Sequence, residues 1–141
     1  RKEEDMKVGL CTVFGVVGGC ITSLFGGWDA GLITLVICMS IDYISGLSVA
    51  GIFHKSKKSE HGALESRAGF KGLCRKSMIL FFVLISYRLD LMIGSNYIRD
   101  AVIIGFVVNE LISIIENATL MDLPIPAVLK KAVDGLKREE E

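Results

Sequence analysis

Proline is nearly absent from this chain of 141 residues: Pro124 and Pro126 are the only two, both close to the C-terminus. Nothing upstream removes a helix hydrogen bond or forces a kink, so each long apolar run before residue 124 can be one unbroken helix. Four cysteines are present, but no pair has C-x-x-C or finger-like spacing. Cys11, Cys20 and Cys38 sit in apolar runs and Cys74 in a basic stretch. That is the distribution of small buried hydrophobes plus one loop thiol, not of a metal or disulfide framework. Net charge is zero, so net charge says little about partners and placement says much. Catalytic chemistry is missing too. His54 and His61 fall together in one polar stretch, no Ser or Cys stands in a nucleophile context, and the scattered glycines make no phosphate loop. The reading is a non-enzyme with no cofactor and no bound metal.

What the chain has in plenty is apolar length, with 51% of its residues hydrophobic. Trp28 to Phe53 is about 26 residues long without a basic residue, and as a helix it would rise about 39 Å against a bilayer core of roughly 30 Å. One carboxylate, Asp42, lies near its middle, and Gly46 and Ala50 follow on the same helical face. An acid on a small-residue face inside a span is a functional-site candidate. Ahead of it, after a charged head, Val8 to Phe25 is a first apolar run, rich in glycine and read as a retained helix rather than a cleaved leader. Cys11, Gly15, Gly19 and Ser23 recur every four residues there and make a small-residue stripe, suited to close helix packing within one protomer or between copies. Gly26-Gly27 is the turn, and Trp28 an interfacial anchor.

His54 to Lys76 changes character. Lys55, Lys57, Lys58, Arg67, Lys71, Arg75 and Lys76 are opposed only by Glu60 and Glu65, and glycines at 62, 69 and 72 weaken any helix. Aromatic residues are nearly missing from it and apolar spans flank it, so contact with anionic lipid and a cytoplasmic position explain this loop better than nucleic acid does. Ser77 to Gly94 is a third span, carrying Arg88 and Asp90. Asp100 to Ala118 is a fourth, with Asn109, Ser113 and Asn117 lined up every four residues and Glu110 and Glu116 beside them. After the two prolines, Ala127 to Lys137 reads as a short amphipathic helix within an amphipathic tail, 124–141, and Glu139 to Glu141 as a solvated acidic end.

Basic residues alternate by segment: three in the head, none in the first turn, seven in the long loop, one (Arg99) in the next, four in the tail. That pattern gives an all-α integral membrane protein forming a single membrane domain. It has four spans (about 8–25, 28–53, 77–94 and 100–118), a basic cytoplasmic loop at 54–76 and both termini in the cytoplasm. If the polar fourth segment does not cross, three spans remain. Counting from the ends of the apolar runs, Asp42 and Arg88 lie about 16 Å above the inner boundary and Glu110 roughly 12 Å. Three charges near one depth can neutralise one another. Asp42–Arg88 is then either a pair registering helices within a protomer or part of a hydrated path between protomers. Asp90 points away from Arg88 and needs a different partner or the outer interface.

Three ordered blocks carry a resemblance. They are DYISGLSVAG (Asp42 to Gly51) followed by a lysine cluster, then Ser66, Gly69, Gly72, Arg75 and Lys76, then NELISIIENATLMDLPIP (Asn109 to Pro126). Together with GGWD before the second span they resemble the toxin-secretion/phage-lysis holins of Gram-positive phages and clostridia. The resemblance implies a small protein of the bacterial cytoplasmic membrane that accumulates, forms homo-oligomers and permeabilises the membrane at a set time. A phage endolysin, or a large toxin, then escapes without needing direct contact, and an antiholin is a further implied partner. Holins of this kind have about three spans, so a fourth is a departure, or else the first apolar run is the variable one. By the same resemblance Asp42, Gly46 and Ala50 would be helix-contact residues, and Gly69, Gly72, Arg75 and Lys76 would lead into the third span. Glu110, Ser113 and Asn117 would be the polar face of the fourth. Other classes remain open: a small ion or solute channel using the Asp42/Arg88/Glu110 layer, or a non-lytic scaffold.

Overall fold

The computed structural model describes residues 1–140, with the side chains of Lys137, Glu139 and Glu140 outside the description. It holds five helices and, among the described residues, no strand: α1 Lys2–Leu24, α2 Ala30–Gly51, α3 Ser66–Ile93, α4 Ile98–Leu120 and α5 Ala127–Glu140. The expectation of an all-helical chain therefore stands. Two helices, α1 and α2, are long and apolar enough to cross a membrane by length and composition.

Local chemistry sets the boundaries. Gly26 and Gly27 both have positive φ, 80° and 105°, and the Tyr87 ring lies 2.7 Å from where a Cβ on Gly26 would be, so the turn after α1 requires glycine. Asp29 caps α2 by accepting from the Leu32 N–H at 3.0 Å. Gly94, at φ 78°, closes α3 in the left-handed conformation. Asp90 reaches past that cap to accept from the Ile98 and Arg99 N–H groups at 3.0 and 2.8 Å, occupying donors that the first turn of α4 leaves free. This is the partner that Asp90 lacked in the sequence reading.

α4 is the hub, packing along α2, against α3 and against α5. The apolar core lies where α2, α3 and α4 meet: Leu32, Leu35, Cys38 and Met39 of α2, Ile79 and Val83 of α3, Ile103 and Val107 of α4. α1 contributes no buried residue and packs along none of the others. The outside of the bundle is apolar, with Phe14, Val17 and Ile21 of α1, Ile37, Ile41 and Ile44 of α2, and Phe81, Ile85 and Met92 of α3 all exposed. A monomer in water rarely shows so much contiguous apolar surface; lipid or another helix is what such a surface fits.

One boundary differs from the sequence reading. The basic segment 54–76 is a loop only in its first half, because α3 is already helical from Ser66. Glycines cost a helix about 1 kcal/mol each relative to alanine, but Gly69 and Gly72 lie under the ring of Tyr43, where a Cβ would come within 3.4 and 3.5 Å of it. They are the positions at which α3 passes Tyr43 of α2, Gly69 at its hydroxyl and Gly72 at its ring.

Candidate functional site

The three sequence blocks converge in space. Lys76 of α3 extends its ammonium between two carboxylates, 2.7 Å from Asp42 Oδ2 of α2 and 2.5 Å from Glu110 Oε2 of α4. All three side chains are withdrawn from the surface, at 14, 7 and 5% exposure. Asn117, one further helical repeat along α4, donates from Nδ2 to the Asp42 carbonyl, to Asp42 Oδ1 at 3.2 Å and to Ser45 Oγ at 2.8 Å. Gly46 lies beside that amide, where a Cβ would be in ordinary contact with Nδ2 at 3.8 Å. Tyr43, next to Asp42, covers Gly69 and Gly72. One tight centre thus takes a residue from each block, and two acids share a single ammonium. A buried carboxylate without such a partner is costly, and removing one member of a buried set costs more than the set gains.

Arg88 is not part of this centre. It is exposed, and among the described residues it joins no ion pair. The physical reason is helix register. The depth argument placed the inner boundary of α3 at Ser77, but the helix already begins at Ser66, so Lys76 stands level with Asp42. Arg88, twelve residues further along, lies about 18 Å up the axis, beside Tyr87, which packs on the Gly26 turn at the far end of the bundle. The Asp42/Arg88/Glu110 layer is corrected to Asp42/Lys76/Glu110.

The other singled-out residues separate by position. Asn109, Ser113 and Glu116 line an open cleft beside the centre, while Glu110 and Asn117 turn inward onto α2. Ala50 is buried. Cys11, Gly15, Gly19 and Ser23 are exposed along α1, and a Cβ added at Gly15 or Gly19 would meet open space. Lys55 leaves the basic group to bind Asp122 at 2.8 Å, tying the loop to the α4–α5 turn. Lys57, Lys58, Lys71 and Arg75 line the cleft, and Arg67 is exposed at the start of α3. The expectation for Glu139 to Glu141 falls on side chains outside the described ones.

A second polar knot closes the opposite end, and it was missed as a site. Arg99, 5% exposed, donates to the carbonyls of Phe25 and Gly27 and grips Asp29 through Nη1 at 2.7 Å. Its other carboxylate neighbour is Asp100 at 3.1 Å. One side chain of α4 thereby fastens the α1–α2 turn. The guanidinium hydrogen bond holds the Asp29 carboxyl below its ordinary range, against the opposing effect of partial burial. The signal in the sequence was slight: a lone arginine in a short loop and a GGWD turn distant from it.

With the geometry in hand, comparison with known proteins gives the class. The chain belongs to the bacteriophage holin family, whose model matches residues 19–138 and so includes all three blocks and both polar centres. That family is in general non-enzymatic, and together with the two apolar helices it points to a membrane location. Similar proteins occur in species of Listeria, Clostridium and Bacillus. An uncharacterized protein of Listeria innocua is 41% identical over 99% of this chain and 94% of its own length. One from Listeria monocytogenes is 42% identical over 91% and 90%. An uncharacterized 14.9 kDa protein from the nagH 3′ region of Clostridium perfringens is 34% identical over 88% and 89%. No solved structure matches the chain.

Proposed function

We propose that this chain is a holin that oligomerises in the bacterial cytoplasmic membrane and opens lesions through which an endolysin, or a large toxin, leaves the cytoplasm. The observation that carries it is an inverted distribution of polarity in a member of this family: ion pairs inside, aliphatic and aromatic side chains outside. α1 to α4 are the four spans, with both termini, α5 and the 54–65 loop on the cytoplasmic side. A charge left unpaired at the centre of a span costs on the order of 2.5–3.5 kcal/mol or more. The partners that Lys76, Asp42 and Glu110 find in one another are what would let α3 and α4 cross despite their charges. α1, with no buried residue, is the helix available to other copies, through the stripe of Cys11, Gly15, Gly19 and Ser23.

The test is induced expression in a bacterium that also makes a cytoplasmic muralytic enzyme without a secretion signal, following culture density and membrane potential together. Abrupt lysis with the potential collapsing just before it is the expected result. Depolarisation without lysis would instead indicate a small ion or solute channel, and neither effect a non-lytic scaffold or antiholin.

A further inference from the structure

Beside the Asp42–Lys76–Glu110 centre lies a cleft of about 660 Å³ between α2, the 56–65 loop, the first half of α3 and α4. Its surroundings are ordered by polarity. The floor is the ion-paired centre, already balanced within itself except for one excess carboxylate. The walls include Leu47, Ile79 and Ile112. The mouth carries Lys57, Lys58, Lys71 and Arg75, all exposed, and among the described residues none of the four is in an ion pair. Two carboxylates, Glu65 and Glu116, share the lining, and Glu65 is occupied in accepting the Glu60 N–H at 3.2 Å. The mouth therefore keeps an excess of cations directed at a space that this chain does not fill.

We propose that this cleft binds one anionic glycerophospholipid of the inner leaflet, its phosphate held by Lys71 and Arg75 with Lys57 and Lys58 closing from the loop, and its acyl chain against Leu47, Ile79 and Ile112. Lys71 and Arg75 are one helical turn apart on α3, so both cations face the cleft together. They stand just before the apolar run that opens at Ser77, and the cytoplasmic end of α2 is at Gly51. Both lie on the loop side of Lys76, and basic side chains facing the inner leaflet attract anionic headgroups. A free phosphate would use the cations but not the apolar walls; a lipid uses both. The site deepens the membrane reading above and rests on its inner-face placement of the loop.

The measurement is made on the purified full chain in a neutral detergent, so it does not depend on lysis. Short-chain phosphatidylglycerol, phosphatidylcholine of the same chain length and inorganic phosphate are titrated separately. Thermal melting gives affinity and native mass spectrometry gives stoichiometry. Phosphatidylglycerol binding at one per chain is expected, with the other two weaker by about tenfold or more. K71Q/R75Q should lose at least that factor while melting like the wild type without lipid. If that variant does not fold, K57Q/K58Q on the loop is expected to weaken the same binding. Equal binding of both lipids, phosphate binding as tightly as phosphatidylglycerol, or unchanged affinity in both variants would overturn the proposal. Intact lipid binding in a protein that fails to lyse cells would overturn the holin reading alone.

Discussion

Lys76 is the residue on which the two acids depend. Without it Asp42 and Glu110 face each other with no cation between them, and breaking a buried ion pair in this way costs about 3–5 kcal/mol. Lys76→Met should lower unfolding stability in detergent by that order, measured by chemical denaturation. Arg88→Met, at an exposed side chain, should change it by less than about 0.5 kcal/mol. The pair of variants separates the observed centre from the Asp42–Arg88 pairing that depth alone suggested. Asp29 offers a pH signature at the other end. Its folded pKa lies below the unfolded one, so its contribution is present above the ordinary aspartate value of 3.8 and is lost as pH falls through the lower folded value. The stability gap between the wild type and Asp29→Asn, followed by thermal melting from neutral pH downward, should be constant above that range and close within it. Half of the Asp29 side chain is exposed, so the gap is small and shrinks with added salt.

At the scale of elements, most helices were legible in the sequence because long apolar runs without proline leave few alternatives. The two-glycine turn and the break at Pro124 and Pro126 are local signals of the kind that sequence carries well. The start of α3 was not legible. Gly69 and Gly72 look like helix breakers until Tyr43 is brought over them, and that contact joins residues separated by 26 or more positions. One misplaced boundary then moved a whole layer: setting the inner end of α3 at Ser77 instead of Ser66 shifted its register and put Arg88 where Lys76 belongs. Gly72→Val tests the contact, since the valine methyls extend beyond a Cβ that already touches the Tyr43 ring at 3.5 Å. A loss of about 1–3 kcal/mol is expected from such overpacking, read by the same denaturation, with Tyr43→Ala in the same chain recovering much of it.

For the molecule as a whole, polarity runs opposite to that of a protein in water. Its buried charged side chains gather at two centres, one near each end of the bundle, while many large apolar side chains lie on the outside. The three blocks that resembled holins in the sequence are distant in the chain because each supplies one helix to one of these centres. Their identity could be read from the sequence, but their meeting point could not. Placing Lys76 between Asp42 and Glu110 needs the crossing of three helices, which no local pattern records. α1 fits the same view from the opposite side: none of its residues is buried, and its apolar side chains lie exposed.

The most direct measurement is a charge exchange across the inner centre, scored by lysis with a cytoplasmic muralytic enzyme and by the amount of protein in the membrane. D42K and K76D should each abolish lysis, and the double variant, which restores opposite charges between α2 and α3, should recover it. A double variant as inactive as either single change, or full lysis by both single variants, would contradict the centre as the element that holds this chain together.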